Sequence, residues 1–378
     1  MDNSIDRVYK HLESTILPKV SYSFDSDVYD EPTLNNIVDI IYSNLSISLD
    51  EKISKNYIKN RLSGYRINQK KLENLQKIPE IIQRSDEWFS TRKKLITSSD
   101  FGQALNKGKF GSQKDFIMKK VNSIIENKNV YLQSDNPALK WGVMYEQVAT
   151  DIYMKRNNVI VYEFGLMIHP DKKIIGASPD GINELGVMLE IKCPFKRKID
   201  GSVPEQYWMQ IQGQLEVCDL NECDYVECKL IEYKNEKQFL EDTFTDGILS
   251  NDFTEKGCII EYKDNSITKY LYNDINITAL EVINWKKDII SKFDFTVEYS
   301  IKFWKLKEYH CKRVYRECDF FNKNIHNLEF IWDKIEFFSK NKDEYIKKVL
   351  NNKKKRVFEF KEFDNQIILN GYAFKEDD

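Results

Sequence analysis

Three runs dense in Val, Ile and Leu, at 159–169, 173–178 and 187–193, follow one another with only turn sequences between them. Ser178-Pro179-Asp180-Gly181 and the stretch from Asn183 to Gly186 are those turns. Gly, Pro, Asn and Asp break an extended run and reverse it, so neighbouring strands pair into a sheet. A helix opened by Asn136-Pro137 and running to about Arg156 precedes the strands, because Asn caps and Pro suits a first turn. A second helix, from about Pro204 to Cys218, follows them, then a strand near 224–233 and another near 237–245. Helix, three strands, helix, strand is the order of an α/β fold with a central mixed sheet flanked by helices.

The flanks read differently. Up to about Pro79 the chain is rich in Lys and Asn, and Leu34, Ile37, Ile40, Ile41 and Leu45 step by three and four as helices do. Helices are expected near 86–94 and again after Thr97 or Ser98. Beyond Asn273 the pattern reads as helical and aromatic (Trp285, Phe303, Trp304, Tyr309, Trp332, Phe337, Phe338), with short strand candidates at 356–361 and 366–371. The expected organisation is a helical N-terminal extension over 1–80, an α/β core over 81–250 and a mainly helical C-terminal extension over 251–378. At 378 residues the chain is long enough for a full core with extensions.

Hydrophobic residues at 41%, charged residues at 31% and scarce Gly and Pro describe a folded chain. No apolar run reaches the roughly 18–20 residues that cross a bilayer, and the first twenty residues lack the apolar stretch of a secretion signal, so a soluble intracellular protein is expected. Seven scattered cysteines without a C-x-x-C pair point to free thiols, not to disulfides or an iron–sulfur cluster. The net charge of −3 gives no general attraction for a polyanion. A nucleic-acid partner would need local basic groups, such as Lys196, Arg197 and Lys198 or the run from Lys353 to Arg356.

The chemistry concentrates in Gly176-Ala-Ser-Pro-Asp180-Gly181, followed by Glu190-Ile191-Lys192. Alternate residues of a strand share a face, so Glu190 and Lys192 project together about 6.6 Å apart while Leu189, Ile191 and Cys193 face the other way. A hairpin would put Asp180 opposite Glu190. Each signature alone is commonplace, since Pro-Asp-Gly is a frequent turn and Glu-x-Lys is usually an exposed charged face. Together on adjacent strands they make a hard-oxygen site suited to Mg²⁺, with Mn²⁺ as a substitute, and leave an ammonium group to manage a water or a developing charge. Phosphodiester hydrolysis uses these parts, and a second ion would stabilise the leaving oxygen. Four dispersed histidines give a zinc site little to draw on.

Several motifs then occur in a fixed order: Trp88-x-x-x-Arg92, Ile96-Thr97-Ser98-Ser99, Trp141-Gly142-x-x-Tyr145-Glu146, Ser178-Pro179-Asp180-Gly181, Leu189-Glu190-Ile191-Lys192-Cys193-Pro194-Phe195 and Tyr207-x-x-Gln210-x-Gln212. In order and spacing they resemble the phage lambda exonuclease and YqaJ-like viral recombinase family of the PD-(D/E)XK nucleases, over roughly 86–245. The resemblance implies a restriction-endonuclease-like core, with Asp180, Glu190 and the Ile191 backbone carbonyl as metal ligands. It implies that Lys192 orients or deprotonates the attacking water, that Glu146 completes the acidic cluster, and that Gln210 lies near the active site. Arg92 and Ser99 would hold the 5′-phosphate of a DNA end. Otherwise Arg92 reads as a surface arginine, Ser99 as a helix cap, Glu146 as a solvated glutamate and Gln210 as part of a polar helix face.

The expected activity is a Mg²⁺-dependent 5′→3′ exonuclease acting on double-stranded DNA ends and leaving 3′ single strands for recombination or repair; its polarity comes from the resemblance alone. The alternatives are a structure-specific or restriction-like endonuclease on the same core and, from another class, a silent DNA-end-binding recombination protein. Clustered carboxylates beside a phosphate repel it unless metal intervenes, which argues against the silent reading. Beyond DNA ends, the partners considered are a single-strand annealing protein and further copies of the chain, with no membrane. The C-terminal part resembles tails of large DNA-virus members, implying a viral source and action in host cytoplasm or nucleus.

Overall fold

The computed structural model describes residues 55–126 and 136–347 apart from Phe110 and Ser266, with a few helical residues between 36 and 43. Of the N-terminal apolar steps only Ile40 is among them, and the strand candidates and basic run beyond 350 lie outside the described residues. The helices are α1 (Lys55–Leu75), α2 (Asp86–Arg92), α3 (Phe101–Ala104), α4 (Gln113–Glu126), α5 (Pro137–Asn157), α6 (Glu205–Val217), α7 (Glu236–Glu241), α8 (Ala279–Ser291) and α9 (Cys318–Lys340). The strands are β1 (Ile96–Thr97), β2 (Val161–Tyr162), β3 (Met167–Ile168), β4 (Ile175–Ala177), β5 (Gly181–Asn183), β6 (Met188–Lys192), β7 (Glu222–Glu232), β8 (Lys256–Asp264), β9 (Ile267–Tyr272) and β10 (Tyr299–Tyr315).

Seven strands form one sheet in the order β2-β5-β6-β7-β10-β8-β9, and β1-β4-β3 form a smaller one. Within the large sheet β6 and β7 are parallel, joined through α6, and the other pairs are antiparallel. This is the mixed sheet flanked by helices that the element order required. Alternation along the strands sorts side chains into two cores. Leu189 and Ile191 of β6, Cys193 just beyond it, and Val226 and Cys228 of β7 pack with Tyr145, Val148 and Ile152 of α5. Met188, Cys223 and Tyr225 face the other way, toward Ile211 and Leu215 of α6 and Leu328 and Ile331 of α9. Glu190 and Lys192 therefore emerge on the α6 side.

Helix α5 starts as expected, with the Asn136 side chain accepting from the Ala138 N–H at 2.9 Å. Three sequence expectations fail. The runs 159–169, 173–178 and 187–193 do not pair in succession in one sheet: the first divides into β2 and β3, β3 and β4 join the small sheet, and β6 pairs instead with β5, which forms at 181–183 between the two turns. Residues 237–245, expected as a strand, overlap the short helix α7 (Glu236–Glu241), capped by Asn235 accepting from the Gln238 N–H at 2.9 Å. The aromatic stretch expected as helix is in part the seventeen-residue strand β10, which pairs with both β7 and β8. A register shift between Leu306 and Glu308 changes which parity of residues faces α5. Trp304 and Leu306 face that core before the shift, and Tyr309 and Cys311 after it. The resulting steps of two, three and two residues mimic a helical stripe. The stretch 251–347 thus supplies three strands of the main sheet as well as two helices.

All seven cysteines are free thiols. No helix among the described residues is long and apolar enough to cross a membrane.

Candidate active site

The hairpin of β5 and β6 pairs Gly181 with Leu189. Asp180, just ahead of β5, is thereby set against the next residues of β6, and its Oδ2 accepts the Ile191 N–H at 2.7 Å. A Cβ on Gly181 would lie 2.4 Å from Val161 Cγ1, so glycine is what lets β2 close over the turn. Glu190 is fully buried, and both its oxygens are engaged. Gln210 Nε2 donates to Oε1 at 2.7 Å and Gln214 Nε2 to Oε2 at 2.8 Å, while Lys192 forms an ion pair with Oε1. Gln214 also donates to the Ser178 carbonyl at 3.3 Å, tying α6 to the turn that carries Asp180.

Helix α6 comes this close because of Gly213. A Cβ there would meet Phe101 Cε2 at 2.6 Å and Ser98 Oγ at 2.9 Å. One turn of α6 therefore serves two neighbours, Glu190 through its glutamines and the Ser98–Asp100 turn through its glycine.

Glu146 arrives from α5, on the other side of the sheet, and pairs with Arg84 at 3.4 Å. Burial raises the Asp180 pKa well above the usual carboxylate range, and the charges of Glu190 and Glu146 add to it. Burial also raises Glu146; Glu190 and Glu163 reinforce the shift, and Arg84 and Lys192 oppose it. For Lys192 burial works against the charged form, but Glu190 and Asp180 outweigh it and keep the ammonium protonated. The three carboxylates thus share one electrostatic environment.

Arg92, at the end of α2, lies with its guanidinium 4.3 Å from the centre of the Trp88 ring and donates at 3.2 Å to both Thr97 Oγ1 and Ser99 Oγ. Trp88 is fixed in turn by donating from Nε1 to Ser178 Oγ at 3.2 Å. Burial lowers the Arg92 pKa and Asp100 opposes the shift. Asp100 accepts from the Thr97 N–H at 3.0 Å and pairs with Lys120 at 3.2 Å, and Lys120 also donates to the Arg92 carbonyl. A pocket of about 160 Å³ is lined by Trp88, Arg92 and Ser99 on one side and by Asp180, Gln210 and Gln214 on the other. Arg92 with Ser99 and Asp180 with the two glutamines are therefore two walls of one pocket, and Glu190 lies buried behind the glutamines.

Asp180, Glu190, Lys192, Gln210, Arg92 and Ser99 converge here; Glu146 stands at the rim, turned toward Arg84. The four-residue spacing puts Gln206 and Gln214 on the helical face of Gln210, but it assigns neither of them a role of its own. Gln83 and Arg84 carried no local signal. Gln206 lies apart and accepts from the Lys109 N–H at 3.1 Å. In the basic loop Arg197 is paired with Glu227, while Lys196 and Lys198 are exposed.

Among the described residues no three His, Cys, Asp or Glu side chains converge tightly enough to cage an ion. Mg²⁺ does not need such a cage, because it keeps several waters and binds through one or two carboxylates plus substrate phosphate. An all-oxygen pair, Asp180 and Glu190, suits it in kind. The raised Asp180 pKa and the buried, unpartnered Gln214 Oε1 mark unmet demand for positive charge and for a donor at this wall.

Residues 87–221 match the family model of the YqaJ-like viral recombinase domain. A protein of Acanthamoeba polyphaga mimivirus is 28% identical over 338 residues, covering 77% of this chain and 60% of the relative. A protein of African swine fever virus is 29% identical over 164 residues, covering 35% of this chain and 45% of the relative. The chain thus spans less than two thirds of either viral relative. Among solved structures, an alkaline exonuclease (LHK-Exo) from Laribacter hongkongensis is 18% identical with a TM-score of 0.43, covering 70% of this chain and all of that one.

Proposed function

From a chain that carries a YqaJ-like viral recombinase domain, we propose a Mg²⁺-dependent deoxyribonuclease that digests duplex DNA from its ends in the 5′→3′ direction. The observation that carries this reading is the shared pocket, in which Arg92 and Ser99, suited to a terminal phosphate, face Asp180 and the two glutamines that hold the buried Glu190, itself paired with Lys192. A guanidinium beside hydroxyls is a good receptor for a phosphate dianion, and it favours an end over an interior phosphodiester. The remaining 3′ strand would be the substrate of a single-strand annealing protein. The viral relatives fit action inside an infected cell.

Asp180 and Glu190, with the Ile191 carbonyl and Glu146, would hold the divalent ion, which supplies charge compensation and an acidified water. The chain's own residues do the positioning. Gln210 and Gln214 fix both oxygens of Glu190, and the Ile191 N–H fixes Asp180. Lys192 is paired with Glu190, and from there it would orient or deprotonate the attacking water and offset developing negative charge. Arg92 and Ser99 hold the end, and Trp88 stiffens the arginine through its ring.

The test is a Mg²⁺ time course on end-labelled linear duplex beside a closed circle. Loss of 5′ label as mononucleotide with an intact circle supports the proposal. A cut circle replaces it with the endonuclease reading, and DNA-end binding without cleavage replaces it with the silent one.

A further inference from the structure

Arg84 is held in a backbone conformation that a side chain normally avoids. Its φ is 64°, in the left-handed region that suits glycine. The chain on both sides is fastened. Ile81 accepts the Leu166 N–H at 2.9 Å, and Gln83 Nε2 donates to the Phe164 and Pro179 carbonyls at 3.1 and 3.4 Å. Ser85 caps α2 through the Trp88 N–H. Glycine at position 84 would meet the same backbone demand without strain, so the arginine side chain is kept at a conformational cost. Strain retained at such a place points to a use for the side chain.

What the side chain does here is modest. It makes one 3.4 Å contact with Glu146 Oε2, with Arg84 51% and Glu146 37% exposed. Solvated single-contact pairs are weak and readily exchanged. The other cations of the site are engaged: Lys192 with Glu190, and Arg92 with Thr97 and Ser99. The charge of Arg84 also reaches Tyr270 and Tyr272 of β9, and Tyr272 donates to the Met144 carbonyl at 3.0 Å, so this rim is walled by the far end of the sheet. Arg84 thus meets Glu146, while Arg92 shares a pocket with Asp180.

Resting on the nuclease reading, we propose that Arg84 is a DNA-phosphate contact, parked on Glu146 until substrate arrives and then exchanged onto a phosphodiester of the strand beside the acidic cluster. A guanidinium can meet a phosphate with two donors, against the single contact it makes here. Glu146 would release it once a divalent ion offset the charge of the acidic cluster.

The experiment uses the full chain in a Lys192→Ala background, which holds cleavage off, with Mg²⁺ and a 5′-phosphorylated linear duplex. Arg84→Gly should leave the melting temperature unchanged or raise it, weaken binding about five- to tenfold, and reduce the slope of log Kd against log salt by about 0.9, one phosphate contact. Arg84→Lys should keep the salt slope. An unchanged slope and affinity in Arg84→Gly, or a fall in melting temperature with the slope intact, makes Arg84 a structural brace and overturns the proposal. Failure of the Lys192→Ala protein itself to bind duplex would overturn the nuclease reading instead.

Discussion

The two glutamines on Glu190 make the same kind of bond at nearly the same length, 2.7 and 2.8 Å, yet their removal should differ in cost. Gln214 is 1% exposed and Gln210 is half-buried at the pocket wall. Gln214→Ala leaves one oxygen of a fully buried carboxylate without a donor, at a position much less open to water than Gln210. A hydrogen bond to a charged group contributes about 1.5–3 kcal/mol, and stranding a buried acceptor costs at the upper end of that range. Losing the second bond to Ser178 adds to it, so about 3 kcal/mol is expected. In Gln210→Ala water entering from the pocket replaces the amide, and the expected cost is about 1 kcal/mol or less. Urea unfolding without divalent ions, followed by far-UV circular dichroism and by tryptophan fluorescence, measures both. Equal losses, or a larger loss in Gln210→Ala, would refute the argument that burial and not bond length sets the cost.

Asp180→Asn should abolish cleavage while duplex binding survives, and it should change how stability follows pH. Because the folded Asp180 pKa lies above its ordinary 3.8, the native state binds that proton more tightly, and stability falls as pH rises from 3.8 through the folded value. The contribution is at most about 1.4 kcal/mol per pH unit, and a melting series in EDTA should show a shallower fall in the variant; identical slopes would contradict it. Arg92→Ala should slow digestion of 5′-phosphorylated ends about 10- to 100-fold and leave hydroxyl ends little changed, as a comparison of initial rates would show; equal loss on both removes the phosphate pocket. Gly213→Ala should destabilise by about 1–3 kcal/mol in thermal or urea unfolding, because its Cβ meets Phe101, which has no room to yield.

How far the site was legible depended on the distance over which each contact forms. Asp180, Glu190 and Lys192 lie on one hairpin, where a two-residue period and a Pro-Asp-Gly turn carry the geometry in consecutive letters. Gln210 was placed near the site by the family resemblance; its four-residue spacing set Gln214 on the same helical face, but only the packing of α6 on the hairpin gives both amides to Glu190. Arg84 and Glu146 are sixty-two residues apart, and no local pattern ties them. The fold was readable wherever alternation was unbroken. It failed at β10, where the shift between Leu306 and Glu308 moves the buried parity from even to odd numbers and erases the strand signal. At 237–245 the capping Asn235 stood in the sequence, but a six-residue helix is too short to show a period.

Strand β10 also decides where this protein can be cut. It covers β7 along its whole length, from Tyr315 opposite Glu222 to Trp304 opposite Glu232, while β6 occupies the other edge. A fragment ending soon after the recombinase-like segment would bare eleven residues of β7, with a row of unsatisfied N–H and C=O groups beside Val226, Cys228 and Leu230 stripped of their cover. Such an open edge recruits other chains. The β5–β6 hairpin is thus only one strand, β7, from a seam that residues beyond 298 seal, and a fragment cut short of β10 would carry that open edge into solution.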